Sequence, residues 1–158
     1  MSVTSPEQAR APMPRLARLD VDQYHSMIEA GILREGSPYE LLDGLLVYKD
    51  RSARGEDPMT IGKPHQVVVD LLGRLNRLLE PHGCYVRIQG AITLPPHNEP
   101  EPDGAVVRGA PRDYLERHPG PGDVFCAIEV ADSSLAKDRE RKLAIYASAA
   151  IPQYLIVN

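Results

Sequence analysis

EPEPDGAVV, residues 99–107, alternates two glutamates with two prolines, adds a third acid at Asp103, and then turns apolar. Solvated turn chemistry ahead of a strand is the plain reading of such a stretch. A carboxylate at the mouth of a buried strand is also a natural metal ligand. A second acid, Glu129, lies inside VFCAIEVA (124–131) between Ile128 and Val130. Apolar neighbours on both sides imply a strand covered on both faces, where an unpaired charge is very costly. Glu129 therefore requires a partner: an arginine or lysine in a structural ion pair, or a divalent cation. Neighbouring strands lie about 4.8 Å apart, so acids at matching heights on adjacent strands can share one ion. Mg2+ takes oxygen ligands at about 2.0–2.1 Å and is typically held by one or two carboxylates plus phosphate oxygens and water. Asp103 and Glu129 suit that pattern, and a cysteine- and histidine-rich zinc site does not.

The elements that must position these acids follow from periodicity and punctuation. From Asp20 a short helix is predicted, with Asp20 as its cap, Tyr24, Met27 and Ile28 on one face, and Gly31 as its end. YELLDGLLVYK (39–49) is two apolar runs around Asp43-Gly44, a strong hairpin signal. RSARGEDPMTIGKP (51–64) has no periodicity and is expected to be a mobile loop. A helix is predicted over the following stretch, with apolar residues at 68, 71, 72, 75, 78 and 79, closed by Pro81 and Gly83. Three strands are expected at 84–94, 104–108 and 124–131, with Gly90 marking a bulge. DRERKLAIYASAA (138–150) reads as a second helix and PQYLIV (152–157) as a last strand. The fold class is α/β (α+β), with a mixed central sheet in the order helix, three strands, helix, strand, preceded by a short helix and a β-hairpin. Residues 1–15, with three prolines, are expected to form a flexible tail, and 16–158 a single domain.

Composition limits the function classes. The 158 residues are 42% hydrophobic, enough for one compact domain with a core, and the net charge is −4. That balance argues against broad adhesion to nucleic acid or anionic membrane, while a bound cation can offset acidic site residues. No apolar run approaches a membrane span, and the N-terminus has no signal-like apolar core. Cys84 and Cys126 each sit in an apolar run and are expected to be reduced thiols in a cytoplasmic protein. His25, His82, His97 and His118 show no ligand spacing, and Ser133-Ser134 reads as a turn or cap.

YELLDG, PHQVVVDLLGRL, EPDGAVV, AIEVADSS and KDRERKLAIYASAAIPQYLIV, in this order from about residue 20 to the end, together resemble a large bacterial family of restriction-endonuclease-like proteins. That family lies in the PD-(D/E)XK nuclease superfamily, whose core has the same order of elements. The resemblance implies that Asp103 and Glu129 are the metal carboxylates and Glu40 an additional acid, with Mg2+ or Mn2+ as the cofactor. The superfamily's lysine belongs two residues after the glutamate, where this chain has Ala131. In this family the lysine stands on the following helix, and Lys142 matches it. Asp138, Lys142 and Tyr146 recur every four residues and share one helix face, which without the resemblance reads as a solvent-facing Asp–Lys pair. His65 matches a recurrent family position. Leu45 stands where many relatives carry a second acid, and ADSS replaces a more usual Ser-Pro pair.

The implied activity is metal-dependent hydrolysis of DNA phosphodiester bonds, with Asp103, Glu129, Lys142 and Glu40 in catalysis. His65, Arg108, Arg112 and Arg117 are candidate substrate contacts; the three arginines are a local basic group at the loop 109–123 joining the acid-bearing strands. Two alternatives stand beside it: a nuclease-like fold that binds nucleic acid without turnover, and a hydrolase of a smaller phosphodiester. DNA is the expected partner, a homodimer the expected assembly, and no membrane partner is expected. Relatives usually continue past the strand that ends at Asn158, so the fold is expected to be trimmed there or completed by a partner subunit.

Overall fold

A computed structural model describes residues 16–34, 36–48, 63–130 and 136–157, with the backbone alone at 63–65 and 136–139. The element order is α1 (Val21–Glu29), β1 (Tyr39–Leu42), β2 (Leu45–Tyr48), α2 (Lys63–Arg74), α3 (Asn76–Leu79), β3 (Cys84–Ile88), β4 (Gly104–Arg108), β5 (Val124–Val130), α4 (Ala136–Ser148) and β6 (Gln153–Val157). β3, β4, β5 and β6 form a mixed sheet in that spatial order; β1 and β2 form a separate hairpin. The β3–β4 and β4–β5 pairs are antiparallel and β5–β6 is parallel. A parallel step needs a long crossover, which α4 supplies.

Side-chain alternation along the strands divides the core. Tyr85, Ala105, Val107 and Ala127 pack with Ile145 and Tyr146 of α4 and Leu42 of the hairpin. Val86, Cys126 and Ile128 point the other way, onto Leu72 with Val68 and Leu79 beside it. Cys84 and Cys126 are both free thiols, and burial pushes the Cys126 thiol up. Among the described residues no helix is long and apolar enough to cross a membrane.

The local signals acted as chemistry requires at α1 and the hairpin. The Asp20 carboxylate accepts from the Gln23 amide at 2.7 Å, and the Gln23 side chain accepts from the Asp20 amide at 3.0 Å. This closes the helix N-terminus from both sides. Asp43 and Gly44 have φ of 52° and 73°, the paired left-handed conformation of a tight hairpin turn. The turn is also fastened to the body: Gly44 N–H donates to the His97 carbonyl at 2.8 Å, and the Asp43 amide donates to Asn98 Oδ1 at 2.7 Å.

Two elements differ from expectation. The expected continuous helix is interrupted at Leu75, and Leu71, Leu75 and Leu78 are exposed rather than packed. The strand expected over 84–94 stops at Ile88, because Gln89 turns left-handed at φ 45°. Gly90 therefore lies beyond the strand and marks no bulge. A Cβ there would collide with the guanidinium of Arg87, so glycine lets that side chain fold back over the backbone. The tail 1–15, most of the loop 51–64, Ala131 and Ser133-Ser134 lie outside the described residues.

Candidate active site

The β4–β5 register pairs Gly104 with Ile128, which sets Asp103 and Glu129 beside each other at one end of the two strands. Asp103 Oδ2 accepts from the Val130 amide at 2.8 Å, fastening this acid to the strand that carries the other. α4 then covers the pair from one side of the sheet. Lys142 and Tyr146, four residues apart, both reach Glu129 Oε1: Lys142 Nζ at 3.1 Å and the Tyr146 hydroxyl, donating, at 3.0 Å. The hairpin contributes the last member. Lys142 Nζ lies 3.3 Å from Glu40 Oε2, and the same oxygen accepts from the Glu101 amide at 3.0 Å. The Glu101 contact forms because the 99–101 segment runs beside β1, where the Glu99 amide donates to the Leu41 carbonyl at 2.8 Å.

These groups are largely withdrawn from water. Side-chain exposure is 13% for Lys142 and 14% for Glu129, so Lys142 does not face solvent. Burial pushes the Glu129 carboxyl up to about 7; Lys142 opposes the rise and the Asp103 charge adds to it. For Lys142 burial favours the neutral amine, but the Glu129 and Glu40 charges outweigh it and hold the ammonium well above its ordinary value. Tyr146 is pushed well up, by burial and then by the Glu129 charge. At neutral pH Lys142 is therefore a fixed cation and Tyr146 a fixed donor.

The cluster sets Glu129 and Glu40 against one ammonium, with Asp103 beside Glu129, so a further cation would offset the remaining acid charge. Its donors are hard carboxylate oxygens, as Mg2+ or Mn2+ prefers. The two strand-end acids fit a site completed by water and phosphate oxygens. Among the described residues, no three His, Cys, Asp or Glu side chains are grouped to hold a metal ion. Glu40 is occupied by Lys142 and the Glu101 amide instead.

The arginines do not join the acids. β4 and β5 are antiparallel, so the loop between them leaves from the end opposite Asp103. Arg108 stacks over the Phe125 ring at 4.8 Å, Arg112 is exposed, and Arg117 pairs with Asp123 at 2.6 Å. This loop folds back over the sheet at Tyr114, which packs against Tyr85, and at His118, whose Nδ1 lies 3.1 Å from an Arg87 nitrogen. His65 lies in the first turn of α2, with its side chain outside the described residues.

Sequence reasoning noticed Tyr146 on the Lys142 face without giving it a role, although that four-residue spacing was the signal. It also passed over Glu99, which is 4% exposed and held by both His25 and Thr93. The acids at 99, 101 and 103 alternate with the two prolines. That periodicity could have flagged more than Asp103.

A family model, Uma2, described as "Putative restriction endonuclease", matches residues 21–158. No curated protein matches the chain.

Proposed function

We propose, from the premise that this chain belongs to the Uma2 family of the restriction-endonuclease-like PD-(D/E)XK superfamily, that it is a metal-dependent endonuclease hydrolysing DNA phosphodiester bonds. The observation that carries this reading is Lys142. Its ammonium reaches the strand-end acid Glu129 from α4, although the position two residues beyond that acid is Ala131.

Asp103 and Glu129 would hold Mg2+ or Mn2+, which supplies charge neutralisation at the scissile phosphate and a more acidic attacking water. Tyr146 fixes the rotamer of Glu129 through Oε1. Lys142 stays protonated and so does not act as a base; it offers N–H donors to the charge that develops on the phosphate oxygens. Glu40 holds Lys142 in place from the opposite side. A preorganised ammonium in a water-poor site costs no reorganisation when the reaction occurs, which is where its contribution arises.

In this reading the protein is cytoplasmic and DNA is its substrate. A second copy of the chain is a partner, supported by the exposed apolar row Val67, Leu71, Leu75 and Leu78 on α2 and α3. The rival reading is a nucleic-acid-binding module without turnover, in which Lys142 and Tyr146 occupy the Glu129 oxygen in place of a metal ion. Incubating supercoiled plasmid with the protein in Mg2+, Mn2+ or chelator separates them. Nicking that needs the metal and disappears in Asp103→Asn supports the endonuclease. DNA binding without cleavage over a broad substrate panel supports the module.

A further inference from the structure

A cavity of about 760 Å3 opens on the structure away from the acid cluster, with neither Asp103, Glu129 nor Lys142 in its lining. Its volume falls within the roughly 300–1,000 Å3 of small-ligand sites. His25, Arg87, Thr93, Arg117 and His118 line it, and Asp22 and Glu116 are among the acids around it.

The basic groups are held in place rather than dangling. Arg87 lies on β3 opposite Ala105, on the sheet face that carries Asp103 and Glu129. One strand step and two residues separate it from Asp103, about 8 Å between Cα atoms. Its guanidinium is packed over Gly90 and bonded at 3.1 Å to His118 Nδ1, and its buried Nε has no hydrogen-bond partner among the described residues. Arginine only donates, so His118 Nδ1 accepts and the imidazole proton sits on Nε2, leaving a second donor. Burial, with Arg87, pushes His118 down and keeps it neutral. His25 Nε2 is clamped to both oxygens of buried Glu99 at 2.8 and 3.0 Å, and Thr93 donates to the same carboxylate at 2.7 Å. That clamp fixes the plane of the His25 ring. Arg117 sits over the Tyr114 ring at 5.0 Å and is held by Asp123.

Preset cationic and N–H donors suit a phosphate, and nearby acids suit the amino groups and hydroxyls of a nucleoside. We propose that this cavity is a nucleotide subsite, taking one phosphorylated nucleotide unit of the nucleic-acid strand with its phosphate against Arg87, His118 and Arg117. The inference rests on the nucleic-acid reading and extends it from the reacting centre to a neighbouring position on the strand.

The test is calorimetric titration of the full chain in chelator, so that no cleavage intervenes. The probes are a single-stranded trinucleotide with a 5′-phosphate, the same trinucleotide without it, and inorganic phosphate. The variants are Arg87→Met, Arg87→Lys, the exposed Arg117→Gln, and Arg74→Gln, an exposed arginine of α2 outside the cavity lining, as a control. Arg87→Met is expected to weaken binding of the phosphorylated trinucleotide about tenfold and to lower the salt slope by about 1. Arg87→Lys should keep the slope and lose part of the affinity, because the charge stays but the planar fork is gone. Arg117→Gln should weaken binding in the same sense; if Arg87→Met fails to fold, this variant decides. Arg74→Gln should bind as the wild type does. Wild-type affinity and slope in both arginine variants overturn the subsite, as does equal binding of the phosphate-free probe. Inorganic phosphate binding as tightly as the trinucleotide would make it a simple anion site and also overturn the proposal. Equal loss in Arg74→Gln and Arg87→Met removes the subsite and leaves the nucleic-acid reading standing. A wild type that binds neither trinucleotide and no longer DNA removes both.

Discussion

Lys142 Nζ lies 3.1 Å from Glu129 Oε1 although the two residues belong to different elements and are 13 positions apart. The parallel β5–β6 step makes this contact. To return to the same sheet edge in the same direction, the chain crosses over as α4, and the crossover lays the Lys142 face on the end of β5. The ammonium thus arrives where a lysine two residues beyond Glu129 would have placed it. A long aliphatic stem makes the reach, and the charge is used inside rather than in solvent.

Replacing Lys142 with alanine should lower kcat for plasmid nicking by roughly 10²- to 10³-fold, the scale of losing one preorganised charge donor. DNA affinity should change little, since the contribution is made mainly in the transition state. The variant also leaves Glu129 buried without its counter-charge, at about 3–5 kcal/mol of stability if the acid stays ionised. Protonation of Glu129 limits that loss, so the fold should survive with a lowered Tm. Kinetics at saturating DNA, paired with circular dichroism, check both parts; normal cleavage by the variant would remove Lys142 from the mechanism.

Glu129 should contribute to the pH dependence of stability in the metal-free protein. Its carboxyl titrates near 7 in the folded chain against an ordinary value of 4.5, because burial favours the neutral form. Between these values the folded state holds a proton that the unfolded state has released. This contribution to stability is therefore constant below about pH 4.5 and declines as pH rises toward 7. It totals on the order of 3 kcal/mol at full titration. Glu129→Gln should flatten that part of the curve. Denaturant midpoints measured in chelator from pH 4.5 to 8 are the check, and equal slopes in wild type and variant would place the titration elsewhere.

Divalent metal should raise the melting temperature, since a ligand bound only by the native state stabilises it by mass action. The rise should be larger at pH 8 than at pH 6, where protonated Glu129 competes with the ion. Asp103→Asn should remove most of the response. The same variant weakens the link to the Val130 amide, whose acceptor loses its charge, so its metal-free Tm should fall modestly. Equal metal shifts in wild type and variant would place the ion at another site.

Much of this is legible in the sequence, for local reasons. Asp20 announced α1, Asp43-Gly44 announced the hairpin, and the four-residue spacing of Lys142 and Tyr146 put them on one face. Glu129 was conspicuous because a charge between Ile128 and Val130 needs a partner. What stayed hidden depended on distance along the chain or on direction. His25 and Glu99 meet across 74 positions, and no spacing rule links them. The arginines of 109–123 looked close to the acids because the loop connects their strands. In an antiparallel pair the connecting loop lies at the far end from Asp103, and only the register reveals that. Gly90 looked like a strand irregularity when its reason was the Arg87 side chain.

Gly44 links the hairpin turn to the site, because β1 carries Glu40 three residues before Asp43. At φ 73° a non-glycine residue is strained, and an added Cβ would press on the Arg18 side chain and the Leu19 carbonyl. That carbonyl is already bonded to His97 Nδ1 at 2.9 Å, and the Leu19 amide donates to the Gly44 carbonyl at 2.9 Å. The backbone therefore cannot give way without breaking the bonds that dock the turn. Gly44→Ala should cost about 1–3 kcal/mol, the strain of a left-handed residue combined with the clash. Gly31 is the control: its φ is similar at 70°, but open space surrounds it, so Gly31→Ala should cost only the conformational part. If docking of the hairpin fixes Glu40 against Lys142, Gly44→Ala should also slow nicking while Gly31→Ala does not. Urea midpoints and nicking rates for the two variants give the comparison; equal costs would mean that the turn is not held tightly by its neighbours.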